Sequence, residues 1–171
     1  MKKIILTALL LGAFSQAFSA DKKYNVTSPN GSLQMELTVG KELKYSVKDN
    51  GTLLLKDNAI SLNIEGKGEI GNNAKVASKQ NKTVSETIDA PFYRQKSIEN
   101  KYKSLKLKFK NDISLEMRAY DSGVAYQFST TKATDYTIID ETAEFNFTAD
   151  HKAYIPHSTN PRKQEAMAFQ A

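Results

Sequence analysis

Apolar and polar residues alternate with a period of two along most of this chain. Leu33, Met35, Leu37 and Val39, for example, are separated by single polar residues. Because successive side chains of a strand point to opposite faces, this pattern predicts strands with one buried and one solvated face. No stretch of eleven or more residues has an apolar stripe at helical spacing, so the sequence predicts an all-β protein. The alternation recurs at the apolar positions Leu43, Tyr45 and Val47; Ile60, Leu62 and Ile64; Leu105, Leu107 and Phe109; Ile113, Leu115 and Met117; Val124, Tyr126 and Phe128; and Ala143, Phe145 and Phe147.

Turn-forming residues separate these segments. Asn50-Gly51 supplies the positive φ values of a tight hairpin turn, and Asn111-Asp112 tolerates a left-handed conformation in the same role. Short connections favour antiparallel pairing, since parallel strands need long crossovers that are usually helical. The predicted architecture is therefore an antiparallel β-sandwich. Further turns are predicted at Pro29-Asn30-Gly31, Gly40-Lys41-Glu42 and Asp121-Ser122-Gly123.

Two regions depart from the alternation. The stretch 66–81 is polar and rich in Gly and Asn, which fits either a long exposed loop or a pair of irregular edge strands. From Ala149 onward the pattern fades into a tail predicted to be irregular, and the sequence stops in the apolar segment 165–171. This last feature leads us to expect the front part of a longer protein. We assign residues 21–155 to the sandwich and 156–171 to the start of a linker.

The first twenty residues have the form of a secretory signal peptide. Lys2 and Lys3 precede an apolar run, and small residues follow, so that cleavage is expected after Ala17 or Ala20. The run is short for a membrane span, and no later segment has eighteen consecutive apolar residues. The sequence thus predicts an exported bacterial protein, periplasmic or extracellular, without a membrane span.

The composition narrows the possible chemistry. The chain has 171 residues, a formal net charge of +5 and no Cys or Trp, which suits one domain and excludes thiol catalysis and Cys-ligated zinc. Two of the excess positive charges belong to the signal peptide. A mild lysine excess is weak evidence for an anionic partner, and nucleic acid is not expected outside the cytoplasm. Nucleotide-binding loops, a nucleophile elbow and a zincin motif are absent.

Isolated residues give few candidates for a site. His151 and His157, six residues apart without further ligands nearby in sequence, are more simply surface residues than a metal site. Glycosidase chemistry needs two carboxylates at a fixed separation, which sequence spacing in a β-protein does not reveal. We therefore expect the acidic residues to lie mainly on solvated faces. The carboxylates considered are Glu86, Asp89, Glu116, Asp121, Asp140, Glu141 and Glu144.

A basic ribbon and several aromatic residues remain. The simplest explanation of the ribbon is that it forms the solvent-exposed face of an edge strand with a bulge near Ser104. It also fits an anion-binding surface. Tyr93, Tyr102 and Tyr136 are candidates for stacking on sugar rings. The aromatic residues of the alternating segments are predicted to lie in the core: Tyr45, Tyr126, Phe128, Phe145 and Phe147. The ribbon consists of Lys101, Lys103, Lys106, Lys108 and Lys110.

Four blocks of sequence, in this order and spacing, resemble the N-terminal domain of glycoside hydrolase family 97. They are Thr27-Ser28-Pro29-Asn30-Gly31 followed by Leu33, Leu43-Lys44-Tyr45-Ser46-Val47, the segment from Arg118 to Phe128, and the segment from Asp140 to Phe145. The resemblance covers almost the whole sequence after residue 24, and the block from Arg118 is its most specific part. Gln127 departs from the pattern, in which Arg is expected.

The resemblance implies a galactose-mutarotase-like β-supersandwich placed before a catalytic (β/α)₈ barrel and a small C-terminal β domain. Members of the family are exported bacterial α-glucosidases and α-galactosidases, both inverting and retaining, with calcium bound near the substrate. Their catalytic carboxylates lie in the barrel, which is absent from this sequence, so no catalytic residue is carried over. In the family an acidic residue of the front domain approaches the calcium, and Glu165 is the candidate for it here.

Three hypotheses follow. The first is a carbohydrate-binding, barrel-supporting front domain of an exported glycoside hydrolase, with no catalytic activity of its own. Its expected partners are the catalytic barrel and an oligosaccharide. The second is a free-standing periplasmic carbohydrate-binding or scaffold sandwich. The third is an anion-binding module that uses the lysine ribbon, and it predicts affinity that falls steeply with salt.

Overall fold

The computed structural model describes residues 21–92, 95–132, 135–150 and 152, together with the backbone of strands at 155–157 and 168–170. The predicted signal peptide, Tyr93, His151 and Glu165 lie outside the described residues. In the described ranges all regular structure is strand. No helix long and apolar enough to cross a bilayer is found there. The strands are β1 Lys22–Thr27, β2 Leu33–Val39, β3 Leu43–Asp49, β4 Thr52–Ile64, β5 Gly68–Ile70, β6 Val76–Asp89, β7 Ser97–Phe109, β8 Ile113–Tyr120, β9 Gly123–Thr130, β10 Ile138–Ala143, β11 Ile155–His157 and β12 Ala168–Gln170.

Two antiparallel sheets carry the fold, as the sequence predicts. The larger has six strands in the order β1-β2-β3-β4-β10, with β5 paired to β4 as well. The smaller has four strands in the order β6-β7-β8-β9. The predicted turns form where expected: Asn50 and Gly51 have φ values of 46° and 83°, and Asp112 has a φ of 65°. The prediction of an all-β antiparallel sandwich is confirmed.

The main core lies between the two sheets, where β1 and β2 pack over β7, β8 and β9. It is filled by the inward residues of the alternating segments, and Leu37, Leu107 and Leu115 are fully buried. A smaller cluster of Ile64, Ile70 and Ile113 closes one end of the sandwich. Alternation thus placed the apolar residues on the face where each strand meets the opposite sheet.

Strand β4 joins two parts of the larger sheet, because it changes register in the middle. Its first half pairs with β3 and its second half with β5 and β10. The register slips by one residue between the Tyr45–Asn58 and Val47–Leu55 pairs, and Asp57 in that interval has a φ of 50°. An extra residue of this kind bends a strand and increases its twist. The long strand can therefore serve two neighbours in different directions.

Some predicted details are wrong. The lysine-bearing strand β7 is not an edge strand, because β6 and β8 flank it, and its pairing runs through Ser104 without a register shift. The even-numbered lysines of β7 lie on one face of this internal strand, and the odd-numbered lysines point to the opposite face. The polar stretch 66–81 forms β5 and the start of β6, which is the second of the two alternatives. Strands β11 and β12 pair within the tail that the sequence predicts to be irregular.

The aromatic residues of the last alternating segment also differ from the prediction. Tyr45 is buried, and Tyr126 and Phe128 are half-buried against the core, but Phe145 and Phe147 are 61% and 55% exposed. Strand β10 ends at Ala143, and the chain continues beside β4 through an isolated bridge between Leu55 and Phe147. Alternation marks one face of a strand, but it does not show whether a second sheet covers that face.

Candidate functional site

The outward face of the smaller sheet carries a cluster of polar and aromatic side chains, which we call the Arg118 face. Antiparallel register aligns these residues in rows across β7, β8 and β9. Residues that are directly opposite on one face have neighbouring side chains, so rows spaced along the sequence form one surface. The rows are Tyr102 with Tyr120, Ser104 with Arg118, and Lys106 with Glu116 and Gln127.

Arg118 is the central residue of this face. Its Nε donates a hydrogen bond of 3.0 Å to Glu116 Oε1, and its guanidinium carbon lies 4.7 Å from the centre of the Tyr102 ring. Tyr102 is only 5% exposed although it points away from the core, and its ring centre is 5.0 Å from that of Tyr120. The hydrogen bond to Glu116 raises the pKa of Arg118 above its ordinary value. The cation is thus held in place by one carboxylate and one aromatic ring.

The carboxyl group of Glu116 is half-buried beside Arg118. Burial raises its pKa, but the hydrogen bond and the positive charge of Arg118 lower it by more, so that the pKa of Glu116 lies below the ordinary value of 4.5. The group is therefore an anion at neutral pH. It acts as a hydrogen-bond acceptor here and has no tendency to serve as a general acid.

Two shallow cavities flank the Arg118–Glu116 pair. One, of about 270 Å³, is lined by Arg118, Tyr120, Ala125 and Gln127 along with Glu116. The other, of about 160 Å³, lies towards Lys82 and Lys106 on the β6 side. Ligand pockets usually measure about 300–1,000 Å³, so these suit no more than a single sugar ring or a small polar group. Aromatic rings beside planar hydrogen-bonding groups can hold such a ligand by stacking and by hydrogen bonds to hydroxyl groups.

Residues of the first resemblance block and Asp121 of the Arg118 block have a structural role. Asn30 N donates to Asp121 Oδ1 at 2.9 Å, which joins the turn before β2 to the turn between β8 and β9. Within the first turn, the hydroxyl of Ser28, which is fully buried, donates to Asn30 Oδ1 and accepts from Leu33 N. The conformation at Gly31, with a φ of 83°, is one that side chains rarely adopt. These residues fasten one sheet to the other.

The second feature of note is apolar, and we call it the open flank. It consists of Ile138, Ile139, Phe145 and Phe147, which are 57%, 61%, 61% and 55% exposed. All four lie on β10 or directly after it, along the edge of the larger sheet. Exposed apolar side chains that recur along one sheet edge indicate a surface that another part of a protein covers.

Acidic residues meet in a cavity of about 300 Å³ outside the larger sheet, and two of them accept hydrogen bonds from within the fold. Glu144 Oε2 accepts from Ala59 N at 3.0 Å, and Glu69 accepts from Ser61 Oγ at 2.7 Å and from Asn72 Nδ2 at 2.6 Å. These carboxylates hold the bent β4 and the β5 turn.

The predicted lysine ribbon is dispersed. Lys103 reaches the backbone oxygen of Ser28 at 3.5 Å, whereas Lys106 belongs to the Arg118 face. Lys110 lies at one end of the sandwich, in a cleft of about 650 Å³ that sequence reasoning missed. Its other cationic residues come from three separate turns and termini, so no linear pattern signals it. They are Lys22, Lys41 and Lys75.

The candidates for sugar stacking and for metal binding have mixed outcomes. Tyr102 is 5% exposed beneath Arg118 and lines the smaller cavity, whereas Tyr120, which was not a candidate, lines the larger one. Tyr136 is half-buried, with Lys67 Nζ 4.5 Å from its ring centre. Among the described residues, no group of three His, Asp or Glu could hold a metal ion, and no buried side-chain polar atom is left without a partner. This part of the chain therefore does not fit a calcium site.

The sequence matches the family described as Glycosyl-hydrolase 97 N-terminal over residues 26–170. It is also 35% identical over 158 residues to a retaining alpha-galactosidase of Bacteroides thetaiotaomicron, an alignment that includes 92% of this chain. The chain spans only 24% of the length of that relative.

Solved structures show the same fold. A family 97 glycoside hydrolase from Pseudoalteromonas sp. strain K8, in complex with panose, superimposes with a TM-score of 0.67 at 18% identity, over 78% of this chain and 22% of that one. A beta-arabinopyranosidase superimposes with a TM-score of 0.69 at 18% identity, over 86% of this chain and 26% of that one. At this level of identity the likeness concerns the fold alone.

Proposed function

The chain belongs to the glycosyl-hydrolase 97 N-terminal family, and from this we propose that it is the front domain of an exported glycoside hydrolase. In the proposal it supports a catalytic barrel, contacts carbohydrate and has no hydrolytic activity alone. The parent enzyme acts on α-glucosides or α-galactosides. The observation that carries the proposal is the match over 26–170 together with the 24% of the relative's length that this chain spans.

The open flank supports the role of a supporting domain. Four large apolar side chains along one sheet edge, each more than half exposed, are what a domain presents to a neighbour within a larger protein. The acidic residues of the described structure support the absence of catalysis. Glu69, Glu116 and Glu144 each bind an internal partner.

The assay that tests this function uses two proteins: the 171-residue chain and the longer protein encoded by the same reading frame. Both are incubated with aryl α-glucosides and α-galactosides. We expect turnover by the longer protein and none by the 171-residue chain. Turnover by the short chain, free of contaminating hydrolase, would place the chemistry in the sandwich and refute the proposal.

The carbohydrate contact is assigned to the Arg118 face and has its own test. Binding of α-linked galactose and glucose oligosaccharides is measured by calorimetry for the unaltered chain, for Arg118→Ala and for Tyr120→Ala. Both variants should lose most of the affinity, because each removes one side of the larger cavity. Lys48→Ala, an exposed change on the other sheet, is the control and should bind normally.

The Arg118 face also favours a second candidate, a free-standing periplasmic carbohydrate-binding sandwich. All residues of this face belong to the described chain, so sugar binding does not require a barrel. The reading frame beyond codon 171 separates the two candidates. An in-frame barrel supports the first, and a stop after Ala171 supports the second.

A further inference from the structure

The cleft of about 650 Å³ at one end of the sandwich, which we call the end cleft, is bordered by both sheets. Its residues come from the start of β1 and the β2–β3 turn in the larger sheet, and from the segment before β6 and the residue after β7 in the smaller one. Ligand pockets usually measure about 300–1,000 Å³. The end cleft therefore has room for an organic molecule, whereas the cavities of about 270 and 160 Å³ on the Arg118 face are smaller than that range.

Positive charge is concentrated in the end cleft. Four exposed lysines line it, and Asp21 is the one acidic residue among the described residues of its lining. The lining thus has an excess of three positive charges. A cleft lined by charges of one sign concentrates their field and raises the local concentration of counter-ions. The lysines are Lys22 at the start of β1, Lys41 in the β2–β3 turn, Lys75 before β6 and Lys110 after β7.

These lysines are not neutralised by nearby acidic residues. In the described part of the chain, no ion pair engages any of the four. Glu42 directly follows Lys41 in the sequence, but it binds Lys44 Nζ at 2.8 Å. Asp112 lies two residues beyond β7's last cleft lysine, but it binds Lys132 Nζ at 2.7 Å. The positive charge of the end cleft is therefore available to an anion from outside the fold.

The backbone around the end cleft is held by hydrogen bonds between separate turns. Asn73 N donates to the backbone oxygen of Lys41 at 2.8 Å, which joins the segment before β6 to the β2–β3 turn. Lys110 N donates to the backbone oxygen of Lys75 at 3.0 Å. Three of the four lysines thus project from backbone that is fixed before any ligand binds. Preorganisation of this kind lowers the entropy that is lost on binding.

The remaining surface of the end cleft suits the uncharged part of a ligand. Val39 is 6% exposed, and Ala74 and Val76 are partly buried against the core, so apolar groups lie beside the lysines. A smaller pocket of about 180 Å³ shares two of the lysines, and the residues Asn72 and Asn111 add amide groups to its lining. Apolar groups with a few polar and charged ones are typical of sites for small organic molecules.

We propose that the end cleft binds a small organic anion that carries two or more oxyanion groups, which can be carboxylate, sulfate or phosphate groups. Lysine ammonium groups bind such oxygens as point charges with several donors each. A ligand with a single negative charge would leave most of the excess positive charge unbalanced. The site is separate from the Arg118 face and does not depend on the proposed function, because all residues named for it belong to the described chain.

Calorimetry on the 171-residue chain tests the proposal with four probes. They are sucrose octasulfate, citrate, inorganic phosphate and uncharged sucrose. We expect at least one of the first two to bind roughly 10-fold more tightly than inorganic phosphate, and sucrose not to bind to the end cleft. The stronger of the first two shows whether the source is a sulfated sugar or a small carboxylate. Affinity should fall when salt is raised from about 50 to 500 mM, because exposed charges are screened. Inorganic phosphate that binds as tightly as both organic probes would overturn the inference.

Paired substitutions show whether the lysines form a site. Lys75→Gln combined with Lys110→Gln should weaken binding about 4- to 25-fold, since an exposed charge pair changes affinity by about 2- to 5-fold. Lys48→Gln combined with Lys56→Gln makes the same change in net charge at exposed positions outside the end cleft and is the matched control. All four lysines are exposed, so urea unfolding of both variants should resemble that of the unaltered chain. Equal loss of affinity in the two variants would assign binding to net charge alone and overturn the inference.

Asp21 allows a test with the opposite sign. Its carboxyl group rests against Gly40, in the space that a side chain at that position would occupy, and it is the acidic group of the lining. Asp21→Asn should therefore strengthen binding of the anionic probes about 2- to 5-fold, because it removes a like charge from the site. Glu99→Gln, an exposed change on β7, is the control and should have little effect. Unchanged affinity in Asp21→Asn would contradict binding in this cleft.

Three further outcomes would overturn the inference. A loss of affinity in Arg118→Ala as large as that in the cleft variant would place the anions on the Arg118 face. Tighter binding of a hexaglutamate peptide than of either organic probe would identify an acidic polypeptide as the ligand. Binding to the 171-residue chain but not to the longer protein would show that another part of the protein fills the cleft. None of these outcomes bears on the hydrolysis of aryl glycosides, which tests the proposed function separately.

Discussion

Asn58 is fully buried, and both ends of its side-chain amide are used. Its Nδ2 donates to the backbone oxygen of Tyr45 at 2.9 Å, and its Oδ1 accepts from the backbone N–H of Asn146. The residue lies next to Asp57, where β4 changes register and ordinary ladder hydrogen bonds are lost. A single polar side chain thus joins β3, β4 and the segment after β10.

Replacing Asn58 with Ala should therefore destabilise the protein. Two backbone groups lose their partner in a buried setting, and each unsatisfied group costs about 1–3 kcal/mol of the free energy of unfolding. Urea unfolding measures the change in the free energy of unfolding, and the m-value should be the same for the variant and the unaltered chain. Asn63→Ala, a half-buried change on the same strand, is the control. A loss at Asn58 no larger than that at Asn63 would contradict the role of this residue.

Glu116 gives the protein a component of stability that depends on pH. Because its pKa is lowered in the folded state, ionised Glu116 stabilises the fold above pH 4.5, and this contribution is lost as the pH falls through its folded pKa. Glu116→Gln should reduce stability at neutral pH by less than about 1 kcal/mol, since Arg118 is partly exposed to solvent. It should also lessen the decline of stability below pH 4.5.

Urea unfolding at pH 3, 4 and 7 measures that difference, with Glu99→Gln on the exposed part of β7 as the control. Parallel pH profiles for the Glu116 variant and the unaltered chain would show that the Arg118–Glu116 pair does not stabilise the fold.

At the scale of elements, the turns connect the sheets. The turn at residues 28–32 belongs to the larger sheet and the turn at 121–122 to the smaller one, and Asp121 bonds the first turn through Asn30 N. The sequence blocks that carry the family resemblance include both turns. Their pairing explains why these polar residues occur at the ends of strands and not on a binding surface.

Asp121→Ala should weaken this connection. The lost hydrogen bond is charged but exposed, and we expect a destabilisation of about 0.5–1.5 kcal/mol. Hydrogen exchange of the Asn30 amide should quicken at the same time, because its acceptor is removed. Ser122→Ala, in the same turn, is the matched control. An unchanged exchange rate at Asn30 would show that the two turns are held together by other contacts.

The described part of the chain is a sandwich with apolar side chains exposed along one edge. The open flank exposes Ile138, Ile139, Phe145 and Phe147, and the neighbouring edge of β9 has no charged residue. An apolar surface next to an open strand edge favours association. The 171-residue chain on its own is therefore expected to self-associate.

The double change Phe145→Ser and Phe147→Ser should shift the chain towards monomer and lower its binding of a hydrophobic dye. Phe92→Ser is the control, because Phe92 is 98% exposed but lies away from the open flank. Light scattering during size-exclusion chromatography measures the mass of each variant over a range of concentrations. If the unaltered chain is already monomeric at high concentration, or if Phe92→Ser has the same effect, the open flank does not drive association.

Local sequence patterns were enough to predict most of the strands, most of the turns and most of the inward residues. The period of two at Leu33–Val39 or Leu105–Phe109 reflects local geometry, because side chains on a strand alternate whatever the strand pairs with. The φ preferences of Asn50, Gly51 and Asp112 are equally local. The family resemblance was also readable, since it resides in short blocks of sequence around turns.

The folded sandwich was needed to show which strands lie at the edges, which faces are covered and which polar residues meet. Nothing local to β7 shows that β6 and β8 flank it, and nothing local to Phe145 shows that its side chain is exposed. The Arg118 face likewise depends on register between three strands, which brings Tyr102, Glu116 and Gln127 together from separate segments. Pairing and layering are long-range properties, because they are fixed by the free energy of the whole sandwich and not by the preference of any one segment.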